Sequence, residues 1–313
     1  MRKQIGVVGL GLNNPYFYAP LLNELGADVN CVWDYTEENA RAYAERFGCQ
    51  VVSNFEHFPQ VDGVLIDSRN CDHISLARPF LAKGIPVYLE KPLSSNVEEA
   101  LAFLEEFKDA KAFSLSPLRL APSYLKMQQD LLATGELPVR CHVTVYHTMR
   151  FFLENPVKRW HDQPEQSGGM LTDIGIHAVE LLNMFMHGQV RRVIGVSTKC
   201  HHFNACCDDN YALTVEYENG AIGTISLLCA TDRTDYSVEI ITPHHAFINN
   251  MDNEYTGLPE YNVDNAYGGF KGVMEAFIRM IDTGKPPVSP YETKRNFEMI
   301  ARMNQALVRA REE

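Results

Sequence analysis

An apolar run from Ile5 to Val8 stops at Gly9-Leu10-Gly11, and a helix-compatible stretch opens almost at once at Asn14-Pro15. A strand, a glycine turn and a helix in that order let backbone amides approach a bound phosphate, while the positive end of the helix favours its charge. An ordinary glycine turn reads the same over three residues. Asp34 adds to the pattern, because it closes the next β-rich run, where an acid accepts from a ribose 2′-hydroxyl in a dinucleotide site. Tyr35 follows with no arginine beside it, which favours NAD over NADP, since a carboxylate repels a 2′-phosphate. Asn14 stands at the third glycine position; it suits a helix cap, with Pro15 as the first helical residue.

Through the first third of the chain, short β-rich runs alternate with helical periodicity. Strands are predicted at Ile5 to Val8, Asp28 to Trp33, Gly63 to Ile66 and Pro86 to Leu89, and helices at Glu37 to Phe47, Ile74 to Lys83 and Val97 to Phe107. This is the pattern of βαβ units on a doubly wound parallel sheet, an α/β architecture. Ser95-Asn96-Val97-Glu98 reads as a capping box with Ser95 as the cap. After about Leu118 the runs lengthen: Val139 to Thr148, Val193 to Thr198, Tyr211 to Tyr217, Ala221 to Cys229 and Ser237 to Ile241. Few helices interrupt them, chiefly Pro122 to Ala133 and Asp173 to Met186. That suggests a carboxyl-terminal α+β domain with a large, mostly antiparallel sheet. Two helices close the chain, Phe270 to Asp282 and Tyr291 to Arg311, parted by Gly284-Lys285-Pro286-Pro287. The expected division is residues 1–118 for dinucleotide binding and 119–313 for substrate binding and oligomerisation, with the closing helices available to pack back on the first domain.

The 313 residues suit two domains at roughly 150 residues each. A formal charge of −12 disfavours nucleic acid and anionic membranes as partners. Strand character by Gln4 leaves no room for a signal peptide, and no apolar stretch approaches a membrane span. The eight cysteines lie mostly in apolar runs without framework spacing, so free thiols in the cytoplasm are expected. Cys200-His201-His202 and Cys206-Cys207-Asp208-Asp209 supply zinc-type ligands, but their spacing matches no standard knuckle, and no metal is expected. His244-His245 reads as a turn after Pro243.

Two further segments are the specific ones. Glu90-Lys91-Pro92 ends an apolar run, and Gly168-Gly169-Met170-Leu171-Thr172-Asp173-Ile174-Gly175-Ile176-His177 follows Trp160. With the glycine turn, Ser68-Arg69-Asn70-Cys71-Asp72-His73 and the closing Gly268-Gly269-Phe270 to Pro287 region, they span the chain from end to end. The whole resembles the Gfo/Idh/MocA oxidoreductases, which include glucose-fructose oxidoreductases and inositol dehydrogenases. The resemblance implies an amino-terminal Rossmann domain and a nicotinamide cofactor, NAD before NADP. Gly9, Gly11, Leu12, Asn13, Asp34, Tyr35, Ser68, Asn70, His73, Glu90 and Lys91 would hold that cofactor. Ser68 and Arg69 depart from the family's usual Thr and Pro. Arg119, Trp160, His161 and Thr172 are implied as substrate contacts, with His161 replacing a frequent arginine.

Asp173 and His177 stand four apart, on one face of a continuous helix, with Gly175 between them removing a side chain where a ligand approaches. Neutral histidine is well matched to accepting a hydroxyl proton near pH 7, which assigns His177 as base and Asp173 as orienter or substrate contact. Lys91, at the carboxyl end of a parallel strand, would stabilise a developing alkoxide. The Lys91-Pro92 bond is open to a cis form that shapes the turn, with trans the commoner case by base rate. The expected activity is hydride transfer between nicotinamide and a secondary alcohol or ketone of a sugar, polyol or inositol, by a homo-oligomer, dimer or tetramer. Two other readings fit the same residues: a glycoside-processing enzyme that retains NAD and oxidises transiently, and a non-catalytic dinucleotide sensor.

Overall fold

The computed structural model describes residues 1–200, 204–249 and 269–312. The chain divides into two compact units, Met1–Leu115 with Phe270–Thr293, and Ser116–Gly269 with Lys294–Glu313. The division expected at 118/119 thus falls at 115/116, and the segment Phe270–Thr293 joins the first unit.

In the first unit, β1 (Lys3–Val8), β2 (Ala27–Trp33), β3 (Gln50–Val51), β4 (Gly63–Ile66), β5 (Val87–Leu89) and β6 (Ala112–Phe113) form a sheet in the order β3-β2-β1-β4-β5-β6. Every pair is parallel. β4 and β5 are buried at every position, which is why they read as continuous apolar runs rather than alternating ones. Each fully buried Val, Leu or Ile there contributes about 1.5–3 kcal/mol. The helix Phe270–Thr283 belongs to this unit through its aromatic stripe. Phe270 meets the Tyr18 ring at 5.1 Å, and a Cβ on Gly63 would lie 2.7 and 2.8 Å from Ile281 and Phe277. The cap of the helix Val97–Glu106 is Asn96, not Ser95. Asn96 Oδ1 accepts from Glu99 N at 2.8 Å, and Ser94 Oγ accepts from Asn96 N and donates to Glu99 Oε2.

The second unit is built on β7 (Arg140–Tyr146), β8 (Val190–Thr198), β9 (Asn210–Tyr217), β10 (Ile222–Leu228), β11 (Asp235–Ile241) and β12 (Ala246–Asn249). The order is β12-β11-β7-β10-β9-β8, parallel between β7 and β10 and antiparallel at the other pairs. Along β9, Tyr211, Leu213, Val215 and Tyr217 are buried in alternation. The helix Gly175–Phe185 covers that buried face at Gly223, where a Cβ would stand 2.8 Å from Leu182 Cδ1. On the other face, Ile194 and Val196 are exposed beside Thr214 and Ala212.

All eight cysteines are free. Among the described residues, no helix is long and apolar enough to cross a membrane, and no group of His, Cys, Asp or Glu is arranged to hold a metal. His201 and His202 lie outside the described residues, as does Gly268.

Candidate active site

The carboxyl ends of four parallel strands gather the expected dinucleotide residues. Gly9, Gly11, Leu12 and Asn13 follow β1, Asp34 and Tyr35 follow β2, Ser68, Asn70 and His73 follow β4, and Glu90 and Lys91 follow β5. The sheet order reverses between β1 and β4, the place where open α/β sheets bind ligands. The glycines are required here by the protein's own backbone. Gly9 has φ +86, and a Cβ on it would lie 2.4 Å from the Asp67 carbonyl oxygen; one on Gly11 would lie 2.8 Å from that of Ser68. The loop amides carry protein acceptors: Leu10 N donates to Asp34 Oδ2 at 2.8 Å, Gly11 N to Asp67 O at 2.8 Å, and Leu12 N to Asp67 Oδ1 at 2.7 Å. Two of those acceptors are carboxylate oxygens, so the loop presents its donors to anionic oxygen. Backbone amides of such a loop are the donor type that a pyrophosphate takes. Asp34 also accepts from Thr36 N through Oδ1 at 2.8 Å, which sets its carboxylate at the end of β2. The helix begins at Asn14 with Asn13, rather than Asn14, in the cap position.

Glu90 turns inward. Its carboxylate is 1% exposed and accepts from Tyr18 and Tyr88 hydroxyls at 2.7 and 2.9 Å and from Lys91 N at 3.1 Å. Burial, together with the Glu90 charge, pushes both phenols well above the ordinary tyrosine range, so they remain donors. Glu90 therefore anchors the β5 end that carries Lys91. The Lys91-Pro92 peptide is cis, against the base rate. His73 is buried as a brace, with Nδ1 2.8 Å from Pro92 O and Nε2 3.1 Å from Ser68 O. A neutral imidazole donates only once. Burial nevertheless holds its pKa below the usual value, against the pull of the two carbonyls.

In the second unit, Gly168 and Gly169 take φ values of +84 and +78, and Ser167 Oγ accepts from Gly169 N, so Ser-Gly-Gly builds the turn between two short helices. The expected continuous helix breaks at Ile174: Gly169–Asp173 ends before it and Gly175–Phe185 begins after it. Asp173 and His177 consequently stand on different helices. The Asp173 carboxylate is bonded to His161, Oδ2 to Nδ1, at 2.6 Å, with both side chains 1% exposed. His161 stacks on Trp160 at 3.6 Å between ring centroids and meets Phe152 at 4.1 Å. His177 Nδ1 lies 2.6 Å from Ser116 Oγ, and Ser116 N donates to Glu180 Oε2 at 2.8 Å. Gly175 opens no ligand space, because a Cβ there would meet Leu171 and Leu227 at 3.0 Å. Thr172 is buried on the helix Gly169–Asp173, and Arg119 is half-buried in the turn Pro117–Leu120.

Two family models cover most of the chain: the oxidoreductase family with an NAD-binding Rossmann fold over residues 3–116, and the GFO/IDH/MocA carboxyl-terminal domain over residues 128–245. The chain belongs to the Gfo/Idh/MocA oxidoreductase family. Among its relatives is glucose-6-phosphate 3-dehydrogenase of Bacillus subtilis, 23% identical over 67% of this chain and 63% of the relative. Another is D-xylose 1-dehydrogenase (NADP(+)) 2 of Haloferax volcanii, 22% identical over 90% of this chain and 89% of the relative. Of solved structures, GenD2 from gentamicin A biosynthesis in complex with NAD matches with a TM-score of 0.84 at 20% identity, covering 98% of this chain and 94% of that one. At that identity the likeness shows the fold.

Within this Gfo/Idh/MocA chain, several residues of both units escape sequence reasoning. Ser116, Tyr236 and His147 surround or extend the His177 environment: the Tyr236 ring packs edge-on to His177 at 5.9 Å, and Tyr236 Oη lies 2.7 Å from His147 Nδ1. Tyr18, Tyr88 and Asp67 occupy apolar runs and carry no spacing signal. The Cys206–Cys207 segment, considered for zinc, donates both backbone amides to the Asp162 carboxylate at 2.7–3.0 Å.

Proposed function

We propose that this chain is an NAD-preferring dehydrogenase or reductase that moves a hydride between nicotinamide and a secondary alcohol or ketone of a sugar, polyol or inositol. The observation that carries the reading is the His177 imidazole held through Nδ1 by buried Ser116 at 2.6 Å. In the working tautomer Nδ1–H donates to Ser116 Oγ, and Nε2 takes the proton of the reacting hydroxyl. Lys91 stabilises the developing alkoxide with its ammonium. Asp173, oriented by His161, accepts from a neighbouring substrate hydroxyl, and Trp160, His161, Thr172 and Arg119 shape the pocket for that ring. The dinucleotide, when bound, supplies the hydride acceptor. Its phosphates would meet the Gly9–Asn13 loop and its ribose the Asp34 carboxylate, whose charge favours NAD.

The test is absorbance at the reduced-nicotinamide band with NAD and NADP across a panel of sugars, polyols and inositols, with calorimetric titration of both dinucleotides. Reduction of NAD by at least one member of the panel is expected. Absence of both turnover and dinucleotide binding would remove the assignment.

A further inference from the structure

A buried carboxylate in the first unit joins the helix of the glycine loop to the strand end that presents Lys91. Tyr18 lies one turn inside the helix Asn14–Glu24, which opens directly after Gly9–Asn13. Its hydroxyl donates to Glu90 Oε2 at 2.7 Å, and Tyr88 donates to the same oxygen at 2.9 Å. The sheet holds Glu90 N on Ile66 O at 2.9 Å; one residue on, Lys91 N turns to the Glu90 side chain instead, donating to Oε1 at 3.1 Å. Tyr18, Tyr88 and Glu90 are each 1% exposed, and the Phe270 ring meets Tyr18 edge-on at 5.1 Å, so the site is closed to solvent and water does not replace a lost donor. The two phenols are not equivalent. Tyr88 stands on β5 itself, two residues before Glu90, with its ring 5.0 Å from that of Phe113 on β6, and holds the acid from within the sheet. Tyr18 holds it from a different element.

We propose that Tyr18 is a positioning residue for Lys91: acting through the Glu90 carboxylate, it fixes the Lys91 backbone relative to the helix that follows the glycine loop. The proposal rests on the dehydrogenase reading above and adds to it a residue that touches no substrate. A carboxylate is planar, so fixing one oxygen sets the direction of the other. The last torsion of a glutamate side chain is soft, and two phenols from different elements on Oε2 hold it in one setting, with Oε1 aimed at Lys91 N. Without the Tyr18 hydroxyl, Oε2 keeps only the Tyr88 bond from its own strand, and the carboxylate plane swings about that contact. Lys91 then starts its long side chain from a looser backbone. A displacement of about 1 Å in a group that stabilises developing charge costs up to roughly a hundred-fold in rate. His73 still meets the Pro92 carbonyl at 2.8 Å on the far side of Lys91, so the loss should be partial.

Hydride-transfer rates of the full-length protein test this, together with calorimetric titration of NAD and 15N-lysine spectra in which the Lys91 amide is identified by its loss in Lys91→Ala. Tyr18→Phe keeps the ring and removes the hydroxyl. It is expected to slow transfer about ten-fold, to leave NAD affinity within about three-fold, and to shift the Lys91 amide resonance. Added to Lys91→Ala, the same substitution should change the rate by less than about two-fold, since no ammonium remains for it to position. A ten-fold loss in both backgrounds would overturn the proposal, because Tyr18 would then act on the fold at large. An unchanged rate or an unshifted Lys91 amide in Tyr18→Phe would overturn it as well. Glu90→Gln is the second variant: Tyr18→Phe should cost less in that background than alone, and full additivity would count against a route through the carboxylate. If the unsubstituted protein reduced NAD with no sugar, polyol or inositol, the dehydrogenase reading itself would fall, and the Lys91 amide shift would still decide whether Tyr18 holds that backbone.

Discussion

Ser116 is a neutral partner for His177, and a hydroxyl accepts from Nδ1–H whether or not the other ring nitrogen carries a proton. It holds the ring through a proton transfer without adding a charge. Lys91→Ala and His177→Ala should each lower turnover by about two orders of magnitude or more while dinucleotide affinity stays within a few-fold, the signature of lost acid–base work and lost charge stabilisation. Asp173→Asn should cost less, because an amide oxygen still accepts from His161 Nδ1. The pre-steady-state rate of hydride transfer reads all three; near-wild-type transfer in both the Lys91 and His177 variants would make these residues structural. A second expectation concerns Asp67. Its carboxylate is 2% exposed and already bonded to Leu12 N, so a phosphate oxygen must displace a charged acceptor to reach that amide. Asp67→Ala should tighten NAD about ten-fold, in line with the roughly 1.5–3 kcal/mol of a hydrogen bond to a charged group. Calorimetry giving weaker binding in the variant would show that Asp67 supports the loop rather than competing for it.

At the scale of elements, the loops after β4 and β5 are tied by one side chain, since His73 touches carbonyls of both Ser68 and Pro92. Its buried imidazole has a pKa lowered from 6.5. Below about that pH the unfolded chain binds a proton that the folded one resists, so stability should decline as pH falls through 6.5 toward the folded value. Urea midpoints at pH values above and below this window, for the wild type and His73→Asn, measure it; equal pH slopes in the two proteins would contradict the assignment. Elements like these were legible to different degrees. The long strands and the parallel core follow from hydrophobic period, and Glu90-Lys91-Pro92 was placed correctly at the end of β5. The two-residue strands β3 and β6 are too short to show a period, and β12 follows a His-His turn whose composition masks it. Between Met170 and His177 only Gly175, next to the break at Ile174, is a poor helix former, and a single glycine of that kind is also tolerated inside a continuous helix. The partners the break creates, Ser116 for His177 and His161 for Asp173, are distant along the chain and chosen by packing.

For the molecule as a whole, the open face of the second sheet invites self-association. Ile194, Val196, Ile222 and Ile248 are 42–58% exposed on strands β8, β10 and β12. Between them stand hydroxyl and imidazole groups already paired with one another, such as His142 with Thr224 and Tyr146 with Ser226. A sheet face of that kind suits an isologous contact, which needs about 800 Å² from each partner. Light scattering at micromolar concentration should give a dimer or tetramer, and Val196→Glu should shift it toward monomer; a monomeric wild type would reject the expectation. The return of Phe270–Thr283 to the first unit bears on how the protein is made. On the ribosome, residues 1–115 emerge first, yet the strip beside Gly63 that Phe277 and Ile281 cover has no lid until the last quarter of the chain follows. At about 5–20 residues per second, that leaves apolar surface bare for on the order of ten seconds, an interval in which a nascent chain invites holdase chaperones and in which a truncated transcript yields an aggregating product.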